Sequence, residues 1–583
     1  MRRVKIVCTL GPACSDYDVL RTMAEAGMNV ARLNFSHGDY ETHALNLKLV
    51  RRVEEEIRRP LAVLLDTKGP EIRTGLLKGH APVNLLPGKT FDLIVPQIDG
   101  DERGVSISYP NLPGEIAEGQ DVFIDDGSLH LRVERVYEDR ITCKVLVGGE
   151  LGERKGVNVP EATLSVPTLT SKDIEDIRWG VENGMDFIAV SFVRTRDDIM
   201  QVRRVLEELG GTMKIIAKIE TRQAVQHLDE IAQVVDGMMV ARGDLGVEMP
   251  TEDVPLVQKR IIEVCRNQGK PVIVATQMLD SMIRNPRPTR AEANDVANAV
   301  LDGADAVMLS GETAKGKYPV QAVETMNRIV TRAEQEMRLW QRTCQSPAVA
   351  NNVSDAVSHA AMSIAEDMRA ASVISLTRSG STARMVSKYR PLCPIVAATP
   401  SRNTWRELAL LWGVYPVMRE EANNAEEAVE AAMAAALEEG FVSEGDLVVI
   451  TAGVPVGIPG TTNMVQVYTI GQILVKGLSL IKREASGFVC RARNAQEALT
   501  KMRPGDVLVV EQTDREYVQA MKKAVAIITE EGGLTSHAAI VALELGVPCV
   551  VSARDCMKLL QDGMLVTVDG TRGVVYQGRV KLR

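Results

Sequence analysis

Through the first 345 residues the hydrophobic positions follow one repeating pattern: a short β-branched apolar run, a polar loop, then a stretch with apolar residues three and four apart. The runs are VKIVC (4–8), NVARLN (29–34), LAVLLD (61–66), DFIAVS (186–191), KIIAKI (214–219), GMMVA (237–241), PVIVAT (271–276) and DAVMLS (305–310). Eight βα units in series predict an α/β fold whose strands close into a parallel (β/α)8 TIM barrel, with reactive groups at the C-terminal ends of the strands.

The pattern breaks once. About a hundred residues separate the third run from the fourth, far more than a compact domain leaves structureless. They hold alternating segments, TFDLIV, GVSISYP, DVFIDDGSLHLRVERV and RITCKVLVGG, which predict an inserted all-β lid domain. After residue 345 the pattern restarts as an open α/β unit, with ASVISLT as a strand, RSGST as its loop and a helix following. A last segment places DVLVV, AVAIIT, PCVVS and LVTVDG around a helix that starts near TSH. The expected division is a barrel of residues 1–69 and 168–345, a lid of 70–167, an α/β effector domain of 346–473 and an extra C-terminal α/β swivelling-type domain of 474–583.

Composition narrows the class. With 45% hydrophobic and 25% charged residues the chain reads as a soluble globular protein, and its net charge of -9 argues against nucleic acid or an anionic membrane as main partner. Nine cysteines without a CxxC pair suit reduced thiols and a cytoplasmic setting. No apolar run is long enough to span a bilayer, and seven scattered histidines without HExxH argue against a zinc site.

Polar residues gather where the barrel runs end. The second ends in ARLNFSHG with Arg32, Asn34, Ser36 and His37, the third in LDTKGPEIRTG with Asp66, Thr67 and Arg73, the fifth in AKIE with Lys218 and Glu220, the sixth in ARGDLG with Arg242, Gly243 and Asp244, and the seventh in ATQM with Thr276. Lys218 and Glu220 stand two apart on a strand and therefore share a face. Glu220 and Asp244 suit Mg²⁺, which takes one or two protein carboxylates and leaves positions for substrate oxygens. Arg32, Arg73 and Lys218 supply the charge that a transferring phosphoryl group requires. Gly243–Asp244, read as a loop ahead of a helix, offers backbone N–H groups to a carboxylate. GETAKGKY (311–318) matches GxxxxGK, but Tyr318 replaces the Mg²⁺-binding hydroxyl of a phosphate loop, and no GxGxxG follows a first strand.

The stretches CTLGPAC, ARLNFSHG, LDTKGPEIRTG, AKIE, MVARGDLGVE, ATQML and MLSGETAKGKYP occur in order and resemble the pyruvate kinase family over residues 1–471. The resemblance implies phosphoryl transfer from phosphoenolpyruvate to ADP, giving pyruvate and ATP in glycolysis. It further implies that Glu220 and Asp244 bind Mg²⁺ (or Mn²⁺), and that Asn34, Ser36, Asp66 and the Thr67 carbonyl bind K⁺. Arg32 and Lys218 would hold the phosphoryl group, with Lys218 stabilising the transition state. Gly243, Asp244 and Thr276 would contact the substrate carboxylate; Thr276, a poor acid, would protonate the enolate through water. Asn34, His37, Arg73 and the lid's Lys155 would meet the nucleotide. A glutamate at position 71 goes, in that family, with dependence on K⁺.

The loop TRSGST, with Thr377, Ser379, Gly380, Ser381 and Thr382, resembles the family's effector-phosphate site, and GTTN (460–463) its second wall. A sugar phosphate or nucleotide monophosphate activator and a homotetramer are implied. The tail, through GGLTSHAAIVALELGVPCVV and VTVDGTRGVVY, resembles the mobile phosphohistidine domain of phosphoenolpyruvate-utilising enzymes. That family usually has arginine where this chain has Leu543, so His537 reads as part of a module kept for structure or regulation. A phosphohistidine synthase and a binding-only sensor on a dead barrel are the competing readings.

Overall fold

The computed structural model describes residues 1–162, 164–344, 352–422, 424–453, 461–471 and 473–578. The eight runs form β1 (Lys5–Thr9), β2 (Val30–Asn34), β3 (Ala62–Asp66), β4 (Phe187–Val190), β5 (Lys214–Ile219), β6 (Gly237–Ala241), β7 (Val272–Ala275) and β8 (Ala306–Leu309). They close into one parallel barrel in which each strand lies beside its sequence neighbours and β8 pairs with β1. Strands buried on both faces need apolar side chains on both, which is why these runs do not alternate. Val7, Val30, Leu64, Ile216, Met239 and Ile273 fill the cylinder, while their neighbours pack outward against helices.

The foot of the barrel carries a device that the pattern did not reveal. The residue just before a strand turns a side-chain oxygen onto a backbone N–H of the strand before it. Asn29 accepts from Ile6 (3.0 Å), Asp186 from Val63 (2.7 Å), Asp236 from Ile215 (2.9 Å) and Asp305 from Val272 (3.1 Å). Each bond satisfies a donor that would otherwise be stranded at a strand end.

By contact the chain divides into two compact units: Met1–Asn351 with Arg378–Leu392 and Thr399–Pro416, and Asn352–Thr377 with Cys393–Ala398 and Val417–Arg583. In the first unit, the lid between β3 and β4 is a six-stranded sheet plus a two-stranded one around Phe91, Leu93, Leu131 and Ile141. Its strand Leu129–Val136 buries alternate residues, as its alternating sequence predicts. Arg406 of the 399–416 segment bonds the buried Glu54 at 2.6 Å, and Arg390 of 378–392 pairs with Asp305 at 3.1 Å. Ala409 and Leu410 join the cluster that fills the barrel.

The second unit contains most of a five-stranded sheet of order β11-β10-β9-β12-β13, formed by β9 (Ser372–Leu376), β10 (Ile395–Thr399), β11 (Val414–Met418), β12 (Leu447–Gly453) and β13 (Thr462–Thr469). It also holds a seven-stranded mixed sheet of order β14-β20-β19-β15-β16-β17-β18. These strands are β14 (Ile473–Lys476), β15 (Glu484–Arg491), β16 (Val507–Val510), β17 (Ala526–Thr529), β18 (Cys549–Val550), β19 (Leu565–Asp569) and β20 (Val574–Gln577). The expected strands account for β16–β19. The half-polar β15, EASGFVCR, escapes an apolar-run criterion because one of its faces is wet. Arg572 donates to Thr469 Oγ1 at 3.1 Å, a bond between the ends of the two sheets.

Candidate active site

The mouth of the barrel is organised around Lys218. Its Nζ lies 2.8 Å from Glu220 Oε1 and 3.2 Å from Asp66 Oδ1, and donates to Ser191 Oγ at 2.7 Å. Arg32, on β2, donates through Nε to Asp66 Oδ2 at 2.6 Å and through Nη1 to Thr9 Oγ1 at 2.9 Å. Two cations and two carboxylates are thereby held in one nearly dry network. Burial would lower the lysine, but Asp66 and Glu220 outweigh it, so Lys218 stays firmly protonated. Burial would likewise raise Asp66, yet Arg32 and Lys218 hold it below the usual carboxylate range.

Glu220 and Asp244 behave the other way. Burial raises Glu220 despite Lys218, and the charge of Asp244 raises it further. Asp244 is raised by burial as well, with Asp126 and Glu71 adding to the effect against Lys218. Two carboxylates that resist being anions together fit a divalent cation. The oxygens proposed for K⁺ come from adjacent strand ends, with Asn34 in register with Asp66. Asn34 Oδ1 accepts the Ser36 N–H at 3.1 Å, and the Thr67 carbonyl accepts the Ser191 hydroxyl at 2.7 Å.

Gly243 and Asp244 do not lie in a loop ahead of a helix: they occupy the first turn of α1 (Arg242–Glu248), which starts directly at the end of β6. A polar pair at a strand end looks like a loop when the helix after it is this short. Gly243 N–H donates to Thr276 Oγ1 at 2.9 Å, and that hydroxyl donates to the Ala275 carbonyl at 2.7 Å. Thr276 and Gln277 have φ of +66° and +53°. For a β-branched residue the left-handed region costs about 1–3 kcal/mol and persists only when its surroundings enforce it. Arg242 does so, donating to the carbonyls of Ala275 (3.2 Å) and Thr276 (2.8 Å) while Asp295 anchors its Nη1 at 2.6 Å.

A cleft of about 310 Å³ opens between lid and barrel, with Arg73, Lys155 and Asp244 in its walls. Arg73 pairs with Glu71 (2.5 Å) and donates to the Arg154 carbonyl (2.9 Å); Lys155 pairs with Asp125 (2.9 Å). The lid's Asn158 reaches Glu248 of α1 at 3.3 Å. His37 is exposed, and its carbonyl lies 3.1 Å from His43 Nε2. The GETAKGKY stretch forms no phosphate cradle. Glu312 accepts the N–H groups of Leu279 (3.0 Å) and Ser310 (2.7 Å), and a Cβ at Gly316 would strike the Glu312 carbonyl.

Sequence reading missed Ser191, Phe192 and the role of Arg242. Ser191 closes the run DFIAVS and so carried the same strand-end signal as its neighbours. Phe192, with φ +53°, gives its N–H to Glu220 Oε2 at 2.6 Å, a bond no side-chain pattern announces.

Thr377 N–H bonds the Ala398 carbonyl at 3.1 Å. Gly380, with φ +80°, caps α2 (Ser381–Lys388), and Thr382 is buried. Gly460 of the second wall lies outside the described residues. In the tail, His537 opens α3 (His537–Leu545), its Nδ1 3.0 Å from Thr513 Oγ1, and Leu543 is exposed.

The chain matches the pyruvate kinase barrel domain over residues 1–323, the pyruvate kinase alpha/beta domain over 355–468 and the PEP-utilising enzyme mobile domain over 502–573. It is 46% identical to a pyruvate kinase of Bacillus licheniformis and 47% identical to one of Geobacillus stearothermophilus, each match covering 100% of both chains. The crystal structure of a pyruvate kinase from Cryptosporidium parvum superposes with a TM-score of 0.75 at 39% identity, covering 80% of this chain and 96% of that one. With a barrel mouth built for a charged transfer and relatives matched from end to end, this chain belongs to the pyruvate kinase family and is an enzyme.

Proposed function

We propose that this enzyme transfers the phosphoryl group of phosphoenolpyruvate to ADP, with Lys218 as the charge that follows it. The observation that carries the proposal is the Lys218 ammonium, held between Asp66, Glu220 and Ser191 beside Arg32. Fixed donors aimed at phosphoryl oxygens stabilise the charge spread over them in the transition state without reorganising. A β-phosphate oxygen of ADP forms the new P–O bond while the bond to the enol oxygen breaks, and the enolate carbon then takes a proton.

Glu220 and Asp244 would hold Mg²⁺, or Mn²⁺, which when bound neutralises and orients phosphoryl and carboxylate oxygens. Asn34, Ser36, Asp66 and the Thr67 carbonyl would hold K⁺, a dependence that Glu71 supports. The Gly243 N–H, Asp244 and Thr276 would orient the substrate carboxylate. The Thr276 hydroxyl already donates to Ala275, which favours a water as the immediate proton source. Arg73, His37, Asn34 and Lys155 would meet the nucleotide as the lid comes down.

Beyond chemistry, the reading takes residues 1–69 and 168–345 as the catalytic barrel, 70–167 as the lid, 346–473 as an effector domain and 474–583 as an added domain. Thr377, Ser379, Gly380, Ser381 and Thr382 would bind the phosphate of a phosphorylated metabolite, and the working form would be a cytoplasmic homotetramer. The test is pyruvate formation from phosphoenolpyruvate, ADP and Mg²⁺ by the full chain and by a truncation near residue 474. Both should turn over. A folded truncation with no turnover would overturn the barrel-centred account.

A further inference from the structure

Below the barrel, on the side away from the chemistry, lies a second charged cleft. It is narrow and is lined by Arg266, Lys270, Arg384, Lys388, Arg390 and Asp305. The one carboxylate is already committed. Asp305 accepts the N–H groups of Val272 (3.1 Å) and Trp412 (3.3 Å) and pairs with Arg390 (3.1 Å).

Lys270 is committed too, donating to the carbonyls of Ala232 and Gln233, but the arginines are less fully met. Arg390 is only 6% exposed and gives Nη2 to the Gly303 carbonyl at 3.0 Å, but its Nε is buried with no hydrogen-bond partner. A buried donor left unpaired costs about 1–3 kcal/mol, more when the group is charged. Among the described residues, neither the half-buried Arg384 guanidinium nor the exposed Arg266 guanidinium has a hydrogen bond or ion pair. Burial, chiefly, lowers both Lys270 and Arg390, and Arg384 lowers the first further as Arg266 does the second. Like charges crowded around an unpaired buried donor are relieved by an anion.

An adjoining cleft shares Arg384, Pro271 and Leu411, and adds Lys214 and Ser379 with two carboxylates, Asp236 and Glu407. We propose that the paired clefts form an anion site for a phosphate dianion, with the adjoining cleft taking the polar body of a phosphate monoester. This site goes beyond the hydroxyl-lined loop of residues 377–382. It would tie α2, which carries Arg384 and Lys388, to the turn before β7, whose far end leads into Thr276.

The test is amide hydrogen exchange on the full-length protein, titrated with inorganic phosphate and with glycerol 3-phosphate at constant ionic strength. Saturable protection of residues 266–271 and 384–390 is expected, weakened by about tenfold in Arg384→Gln. The same protection should persist in Thr382→Glu, which separates this site from the hydroxyl loop. Should Arg384→Gln fold poorly, the exposed Arg266→Gln serves in its place with the same expected loss. Tighter binding of glycerol 3-phosphate assigns a monoester, and equal binding assigns the free anion. No protection with either probe, or protection undiminished in both arginine variants, overturns the proposal.

Discussion

The hydroxyl of Ser191 stands between Lys218 and the Thr67 carbonyl, accepting from one at 2.7 Å and donating to the other at 2.7 Å. Because a hydroxyl has one proton, its donation to Thr67 leaves a lone pair aimed at the ammonium. Ser191 is therefore a positioning residue for Lys218. Ser191→Ala should lower kcat by about 10–100-fold with a smaller effect on KM, and Ser191→Thr should restore most of it. A parallel rise in KM alone would show that the hydroxyl serves binding instead.

Lys218→Met should remove the charge that follows the phosphoryl group, reducing kcat by about a thousandfold or more. It should also destabilise the fold, since Asp66 and Glu220 lose a shared partner inside the protein. Breaking a buried pair by removing one member costs about 3–5 kcal/mol. Denaturant unfolding of the variant checks the second effect independently of activity.

Much of this centre was legible in the chain. Lys218 and Glu220 are two apart where the run KIIAKI ends, so strand geometry alone places them on one face; Asp66 closes one run, and Arg32 lies near the end of the neighbouring one. What was hidden depends on backbone groups. The bond from Phe192 N–H to Glu220 and the Arg242 clamp on two carbonyls join main chain to side chain, and residue types do not advertise such partners. Short α1 was hidden for a related reason, since seven residues carry too little periodicity to register.

Arg242→Gln should release the carbonyls of residues 275 and 276 and let the backbone leave its left-handed conformation. Thr276 would then move away from Gly243. The expected result is a drop in kcat with a lower melting temperature, and Thr276→Gly in the same background should recover part of the stability but none of the rate.

The proposed dependence on a monovalent cation rests on Glu71, which pairs with Arg73 at the cleft. Turnover should be low in a buffer containing only tetramethylammonium, rise with K⁺, and rise less with Na⁺ or Li⁺. Glu71→Lys should reduce the response to K⁺. Full activity of the unaltered enzyme without any small monovalent cation would contradict the assignment.

Glu407, whose side chain is 15% exposed and lies 3.7 Å from Lys214, is pushed up to about 7, chiefly by burial. A carboxyl raised on folding binds its proton more tightly in the native state. Its contribution is fully present below about pH 4.5 and is lost as pH rises through about 7. Glu407→Gln, which cannot ionise, should therefore melt higher than the unaltered protein at pH 8 and show little gain at pH 5. An equal shift at both pH values would mean that the charge is not the cause.

The side-chain oxygens of Asn29, Asp186, Asp236 and Asp305 key one strand to the next from below. Register along the cylinder is thereby set at the end remote from the reaction. The rim above can then change in length and sequence without retuning the staves, which is how an entire lid of β-structure can sit between β3 and β4 while those two strands still pair side by side.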